Sequence, residues 1–273
     1  MKNKILIYDD NCPLCTWYSG LFVKLGFLHE EGRKAFSTLD PSLLQKINFD
    51  RGKNEIPLLD LKTSKVQYGI DALLEILDQK IPYIKAIGNF KPIKWFLIKL
   101  YKLISFNRKV IVAKKCGVGN IDCAPDINYR YRFLFLAVSL LFNTIMLFPV
   151  HDYLFMNLSY YHLTISELQA AHFIFVLMNG LLAITFRREK GIEYLGQVNM
   201  LALSAILLLI PLIGINLVIS NNWINSIFLV TISAFIFKEY FRRMEYAGIL
   251  LEYKWVTSTN LLCLNGFILY LFH

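Results

Sequence analysis

Apolar and polar positions along the chain fall into three regimes. In the first, Lys-Ile-Leu-Ile-Tyr at residues 4–8 is an apolar run closed by Asp9, Asp10 and Asn11, which predicts a short buried strand and a turn. Cys12 followed by Pro13 predicts a helix start, because proline fits the first turn, where its missing N–H costs nothing. The same reading predicts a strand over 34–39, a helix over 41–48, strands over 56–61 and 64–68, and a helix over 70–79. Pro57 then falls at the first residue of a strand, where a missing ladder donor is tolerated.

In the second regime, Ile93, Phe96, Leu97, Leu100, Leu103 and Ile104 recur at helical spacing, with Lys91, Lys94, Lys99 and Lys102 on the other side. This predicts an amphipathic helix over 92–105. In the third, apolar blocks occupy 133–150, 168–186, 195–219, 223–237 and 256–272, each near the ~20 residues a helix needs to cross a bilayer. The expected architecture is an α/β thioredoxin-like N-terminal domain followed by an all-α transmembrane bundle of about five helices. Its expected divisions are 1–80, a basic juxtamembrane segment 81–130, and a membrane domain 131–273.

Composition and charge sharpen this picture. A hydrophobic share of 56% with mean hydropathy +0.45 exceeds that of a soluble globule. Residues 79–121 hold ten Lys or Arg and no acid, so the amphipathic helix is expected to lie on anionic membrane lipids. Its continuous apolar stripe argues against nucleic acid as the partner of these charges. Loops 187–194 and 238–255 carry three and four basic residues, whereas 151–167 and 220–222 carry none. Basic loops stay in the cytoplasm, which places the N-terminal domain inside and the C-terminus outside a cell membrane. The start Met-Lys-Asn-Lys-Ile-Leu-Ile-Tyr-Asp-Asp has too short an apolar run for a signal peptide.

The candidate chemistry lies in the turn after the first strand. Cys12 would stand at a helix N-terminus, where unpaired N–H groups favour a thiolate. Cys15 lies one turn further on the same face, placed to resolve a mixed disulfide. Asp9 and Asp10 oppose an anion nearby, although a carboxylate can take the Cys15 proton during resolution. Thioredoxin-like folds hold a cis-proline against such a pair, so the Ile56–Pro57 bond is expected to be cis and, with Pro13, to line the substrate site. Three other readings of the cysteines stay open. Cys116 and Cys123 are a second thiol pair, or unconnected juxtamembrane thiols, or they join Cys12 and Cys15 in a four-thiolate zinc site. In the zinc reading the chain is a membrane interaction or transport module rather than an enzyme.

The stretch Tyr-Asp-Asp-Asn-Cys-Pro-Leu-Cys at residues 8–15 resembles the signature of the DCC family of thiol-disulfide oxidoreductases, Tyr-Asp-Gly-Asp-Cys-Pro-Leu-Cys. Tyr8, Asp9, Cys12, Pro13, Leu14 and Cys15 match, while Asp10 replaces the glycine and Asn11 the second aspartate. Val-Gln-Tyr-Gly-Ile-Asp-Ala-Leu-Leu-Glu-Ile-Leu at 66–77 resembles the family's Gly-x-x-Ala-Leu helix, and Phe-Asn-Arg-Lys at 106–109 its closing Asn-Arg element. The resemblance covers about residues 4–115 and implies a truncated thioredoxin-like fold with catalytic Cys12 and Cys15. Asp9 is the matched acid. It further implies a redox-active disulfide with no other cofactor, and a thiol or disulfide, on a protein or a small molecule, as partner.

Overall fold

The computed structural model describes residues 3–114, 125–158, 161–219 and 221–272. The chain is mostly helical and divides into two compact units, Met1–Arg132 and Phe133–His273. The described residues of the basic segment, 81–114 and 125–130, fall within the bounds of the first unit.

The first unit contains β1 (Lys4–Tyr8), α1 (Pro13–Lys24), β2 (Arg33–Ala35), α2 (Pro41–Leu44), α3 (Phe49–Asn54), β3 (Pro57–Asp60), β4 (Val66–Tyr68), α4 (Gly69–Leu77), α5 (Ile84–Asn89), α6 (Lys91–Phe106) and α7 (Arg108–Val112). The strands form one mixed sheet in the order β2-β1-β3-β4. β1 runs parallel to β2, with Leu6 opposite Arg33, and antiparallel to β3, with Leu6 opposite Leu58. β3 is antiparallel to β4, with Pro57 opposite Tyr68.

Successive strand side chains point to opposite faces, and both faces of this sheet are covered. Ile5, Ile7 and Leu59 pack with Phe36, Leu39 and Ile47 on one face. On the other face Leu6 and Leu58 pack with Ile56, Ala72 and Ile76, against Tyr18, Phe22 and Tyr101. Burial on both sides explains why β1 is an unbroken apolar run rather than an alternating one.

Two expected elements are half the length of their pattern. The strand expected over 34–39 ends at Ala35 because the chain turns at Phe36–Thr38. There Asp10 accepts hydrogen bonds from the Ser37 hydroxyl at 2.7 Å and the Ser37 N–H at 3.4 Å. The helix expected over 41–48 stops at Leu44, and Asn48 instead caps α3, accepting from the Arg51 N–H at 2.9 Å.

The second unit is built from α8 (Tyr129–Tyr153), most of which it contains, α9 (Ile165–Ile184), α10 (Arg188–Asn216), α11 (Asn222–Tyr246), α12 (Ile249–Glu252) and α13 (Lys254–Phe272). Among the described residues four helices are long and apolar enough to cross a membrane, spanning Tyr129–Asn157, Ile165–Ile184, Arg188–Asn216 and Asn222–Tyr246. The fifth apolar block forms α13. Polar side chains inside this unit pair across helices. Asn260 donates to the Tyr194 and Tyr240 hydroxyls at 2.9 and 3.1 Å, Asn216 and Asn225 exchange hydrogen bonds at 2.8 Å, and Arg243 donates to Gln197 at 2.8 Å.

Candidate functional site

The site is built on the turn between β1 and α1. Asp9 folds the turn around itself: its carboxylate accepts the Asn11 N–H at 3.0 Å and its carbonyl accepts the Cys12 N–H at 3.2 Å. Asp10, where the resembled signature has glycine, keeps negative φ and uses its side chain on Ser37. The turn therefore needs no glycine. Cys12 is the N-cap of α1 and Pro13 opens the helix, as the sequence predicts. Both cysteines are free thiols, hydrogen-bonded to each other. Cys15 is 1% exposed and Cys12 8%, so Cys12 is the outer sulfur.

The polar partner of this pair comes from far along the chain. Asn107, fully buried, ends α6 by donating its side-chain amide to the carbonyls of Leu103 at 2.7 Å and Tyr131 at 3.1 Å. The turn it fixes delivers Arg108 to the cysteines. Arg108 Nη1 donates to Cys15 Sγ at 3.0 Å, while Nη2 donates to the Lys53 carbonyl at 2.8 Å and lies 3.8 Å from Asp9 Oδ2.

The electrostatics follow from these contacts. The hydrogen bond from the Cys12 thiol, aided by Arg108 and opposed by burial, lowers Cys15 to about 6. That same bond, together with burial, pushes Cys12 up. Burial raises the Asp9 carboxyl, with Arg108 pulling the other way. Helix position alone predicts the thiolate on Cys12, whereas the arrangement puts it on Cys15. The reasons are the hydrogen bond from the Cys12 thiol, which is the larger, and the Arg108 guanidinium at hydrogen-bond distance from Cys15 Sγ.

Pro57 opens β3 as predicted, but the expected cis bond is corrected: Ile56–Pro57 is trans. Ile56 is held extended by its neighbours on both sides, its N–H donating to the Tyr101 hydroxyl at 2.8 Å and its carbonyl accepting from the Gly69 N–H at 3.0 Å. Ile56 shares a core cluster with Tyr18, whose hydroxyl is hydrogen-bonded to Cys15. A small cleft of about 30 Å³ beside Cys12 is lined by Asp9, Asn11, Arg108, Lys109, Val112 and Lys114, among others.

Cys116 and Cys123 lie outside the described residues, so the second thiol pair and the four-thiolate zinc reading rest on residues not described. Among the described residues no three of His, Cys, Asp and Glu come together as a metal site. Sequence reasoning did not find Arg108, Tyr18 or Tyr101. The Phe-Asn-Arg-Lys stretch was the available signal for Arg108, but nothing local ties it to a cysteine 93 residues earlier. No family model, no curated protein and no solved structure matches the chain.

Proposed function

We propose that the chain is a membrane-anchored thiol-disulfide oxidoreductase, with a thioredoxin-like domain of the DCC type facing the cytoplasm and the helices of the second unit as its anchor. The observation that carries this reading is the hydrogen-bonded Cys12–Cys15 pair at the start of α1 with Arg108 at 3.0 Å from its inner sulfur. Structural thiols have no need of a buried cation, whereas reactive ones sit in electropositive surroundings. The sheet order β2-β1-β3-β4, with a parallel βαβ half and an antiparallel hairpin half, supports the fold assignment.

In this reading Cys12 Sγ attacks a partner disulfide, forming a mixed disulfide and releasing one partner sulfur. Cys15 then attacks Cys12 Sγ, the Cys12–Cys15 bond forms, and the second partner sulfur leaves. Asp9, its carboxyl raised by burial, is the proton acceptor for Cys15. Run in this direction the pair passes two electrons to the partner, and the same steps in reverse oxidise two partner thiols. Cys15→Ser should trap the mixed disulfide through Cys12.

The first unit is read as seated on the membrane surface through α6. That helix packs inward through Tyr101 and Ser105 and leaves Ile93, Phe96, Leu100 and Ile104 exposed. Lys94 and Lys102, expected to face lipid, instead pair with Asp71 at 2.7 Å and Glu55 at 3.7 Å. This leaves Lys91 and Lys99 for anionic headgroups.

The deciding experiment is a redox titration of the full chain in detergent micelles, followed by alkylation and mass measurement. A reversible two-proton mass change confined to Cys12 and Cys15 supports the reading. Bound zinc with neither pair oxidisable would replace it with the interaction or transport module.

A further inference from the structure

A guanidinium cannot act as a base, because it stays protonated at any pH an enzyme meets. What Arg108 can do is fix where charge resides. Its own place does not depend on the cysteines, since the Lys53 carbonyl holds Nη2 at 2.8 Å and the Asn107 turn sets its backbone. The groups facing Cys15 are the Cys12 thiol, the Tyr18 hydroxyl and Arg108, with the Asp9 carboxyl and the buried Tyr101 phenol close enough to act on it electrostatically. Of these only Arg108 brings positive charge. Cys15, 1% exposed, cannot meet a partner disulfide, so the sulfur that faces the cation is not the one that attacks.

We propose that Arg108 is a positioning residue that keeps the negative charge of the reduced pair on Cys15, which makes Cys15 the proton acceptor for Cys12 and makes the pair a stronger oxidant of partner thiols. The inference rests on the oxidoreductase reading above. In the first step the Cys12 proton passes to the Cys15 thiolate as Cys12 Sγ bonds to one partner sulfur and the other leaves as a thiolate. In the second, Cys15 gives up that proton to Asp9 or water, Arg108 favouring the anion. Cys15 Sγ then bonds to Cys12 Sγ, the Cys12-to-partner bond breaks, and a second partner thiolate leaves. Closing the disulfide removes the anion that Arg108 faces. The cation therefore stabilises the reduced form, the arrangement that makes a dithiol oxidising.

The test uses the full chain in detergent micelles with Cys116, Cys123 and Cys263 replaced by serine, as wild type otherwise and as R108Q and R108K. Thiolate absorbance is titrated against pH, and the dithiol–disulfide equilibrium is measured in glutathione buffers. The parent should show one thiolate with a midpoint near 6. R108Q should move the midpoint up by at least tenfold in proton concentration. It should also shift the equilibrium at least tenfold toward the disulfide, about 30 mV for a two-electron couple. R108K should recover part of both shifts.

An unchanged midpoint and equilibrium in a folded R108Q overturns the assignment, as does a parent with no thiolate below pH 8. Should R108Q not fold, the parent midpoint and its retention in R108K decide. A parent that never forms the disulfide sinks the oxidoreductase reading and leaves the titration arm legible, so the two failures are told apart.

Discussion

The Tyr101 hydroxyl lies 2.8 Å from the Ile56 amide nitrogen, so α6 holds the residue that precedes Pro57. The same stretch of chain grips the segment before β3 at two more points: Ser105 donates to the Asn54 carbonyl and Arg108 to the Lys53 carbonyl. The helix with the exposed apolar stripe thus also braces the segment that leads into β3.

Removing the Tyr101 hydroxyl tests that brace. Tyr101→Phe keeps the ring, whose surroundings push its phenol up to about 12 through burial, but leaves the Ile56 N–H without its acceptor. An unsatisfied buried donor costs about 1–3 kcal/mol. Amide exchange at residues 53–56 in the full chain should therefore speed up roughly 5- to 150-fold, with Cys12 alkylation following the same trend. Unchanged exchange would mean that the hydroxyl braces nothing.

Gly69 is fixed by backbone and by space together. It begins α4 with φ +58°, and a Cβ there would meet the Tyr101 ring at 3.2 Å and Glu55 at 3.6 Å. Gly69→Ala should destabilise the first unit by about 1–2 kcal/mol, the cost of a left-handed conformation for a residue with a Cβ. A thermal melt of the full chain followed at α4 by site-specific fluorescence checks this, and an unaltered midpoint would contradict it.

What the sequence made legible follows from the range of each interaction. β1, the start of α1 at Pro13 and the opening of β3 at Pro57 were readable because local apolar runs and proline chemistry decide them. The ends of β2 and α2 were not, since Asp10 reaching Ser37 and Asn48 capping α3 are side-chain contacts that periodicity does not register. Cys12, Cys15 and Asp9 were legible as neighbours within one turn. Arg108 was hidden because the pairing joins segments 93 residues apart. The lysines of α6 show the same limit. Their helical spacing was right, yet Lys94 and Lys102 face acids of their own unit.

Acid should weaken the first unit through Glu75, which bridges Lys4 and Lys85. Hydrogen bonds from those two lysines hold its carboxyl at about 2, below its ordinary 4.5. A depressed folded-state value contributes stability that is present above 4.5 and is lost as pH falls from there toward 2. Glu75→Gln should therefore lower stability at pH 6 and flatten its dependence between pH 4.5 and 2. Parallel pH profiles for the two proteins would show that the bridge does not contribute.

Seating of α6 on lipid is testable through Trp95, which is 65% exposed on that helix. With Trp17, Trp223 and Trp255 replaced by phenylalanine, Trp95 fluorescence in the full chain should be quenched by spin-labelled anionic lipid in nanodiscs. Lys91→Glu with Lys99→Glu should reduce the quenching, each basic residue near such a surface contributing about 1 kcal/mol. The same change at Lys94 and Lys102 should act mainly on stability, because those two are paired within the unit. Equal loss of quenching from both pairs would place the wrong face on the membrane.

Orientation follows from the distribution of basic residues. Arg187, Arg188 and Lys190 lie where α9 gives way to α10, and Lys238, Arg242 and Arg243 lie toward the end of α11, with Lys254 opening α13. The connections from α8 to α9 and from α10 to α11 carry no basic residue. Lysine and arginine are retained on the cytoplasmic side during insertion, so reporter fusions at residues 120, 158 and 191 should read inside, outside, inside. The fusion at 273 should read outside, as a fifth crossing through α13 requires. A cytoplasmic reading at both 120 and 158 would show that the span Tyr129–Asn157 does not cross and would reverse the sidedness of every later helix, whereas an outside reading at 120 with a cytoplasmic one at 158 would reverse the whole orientation, thiol site included.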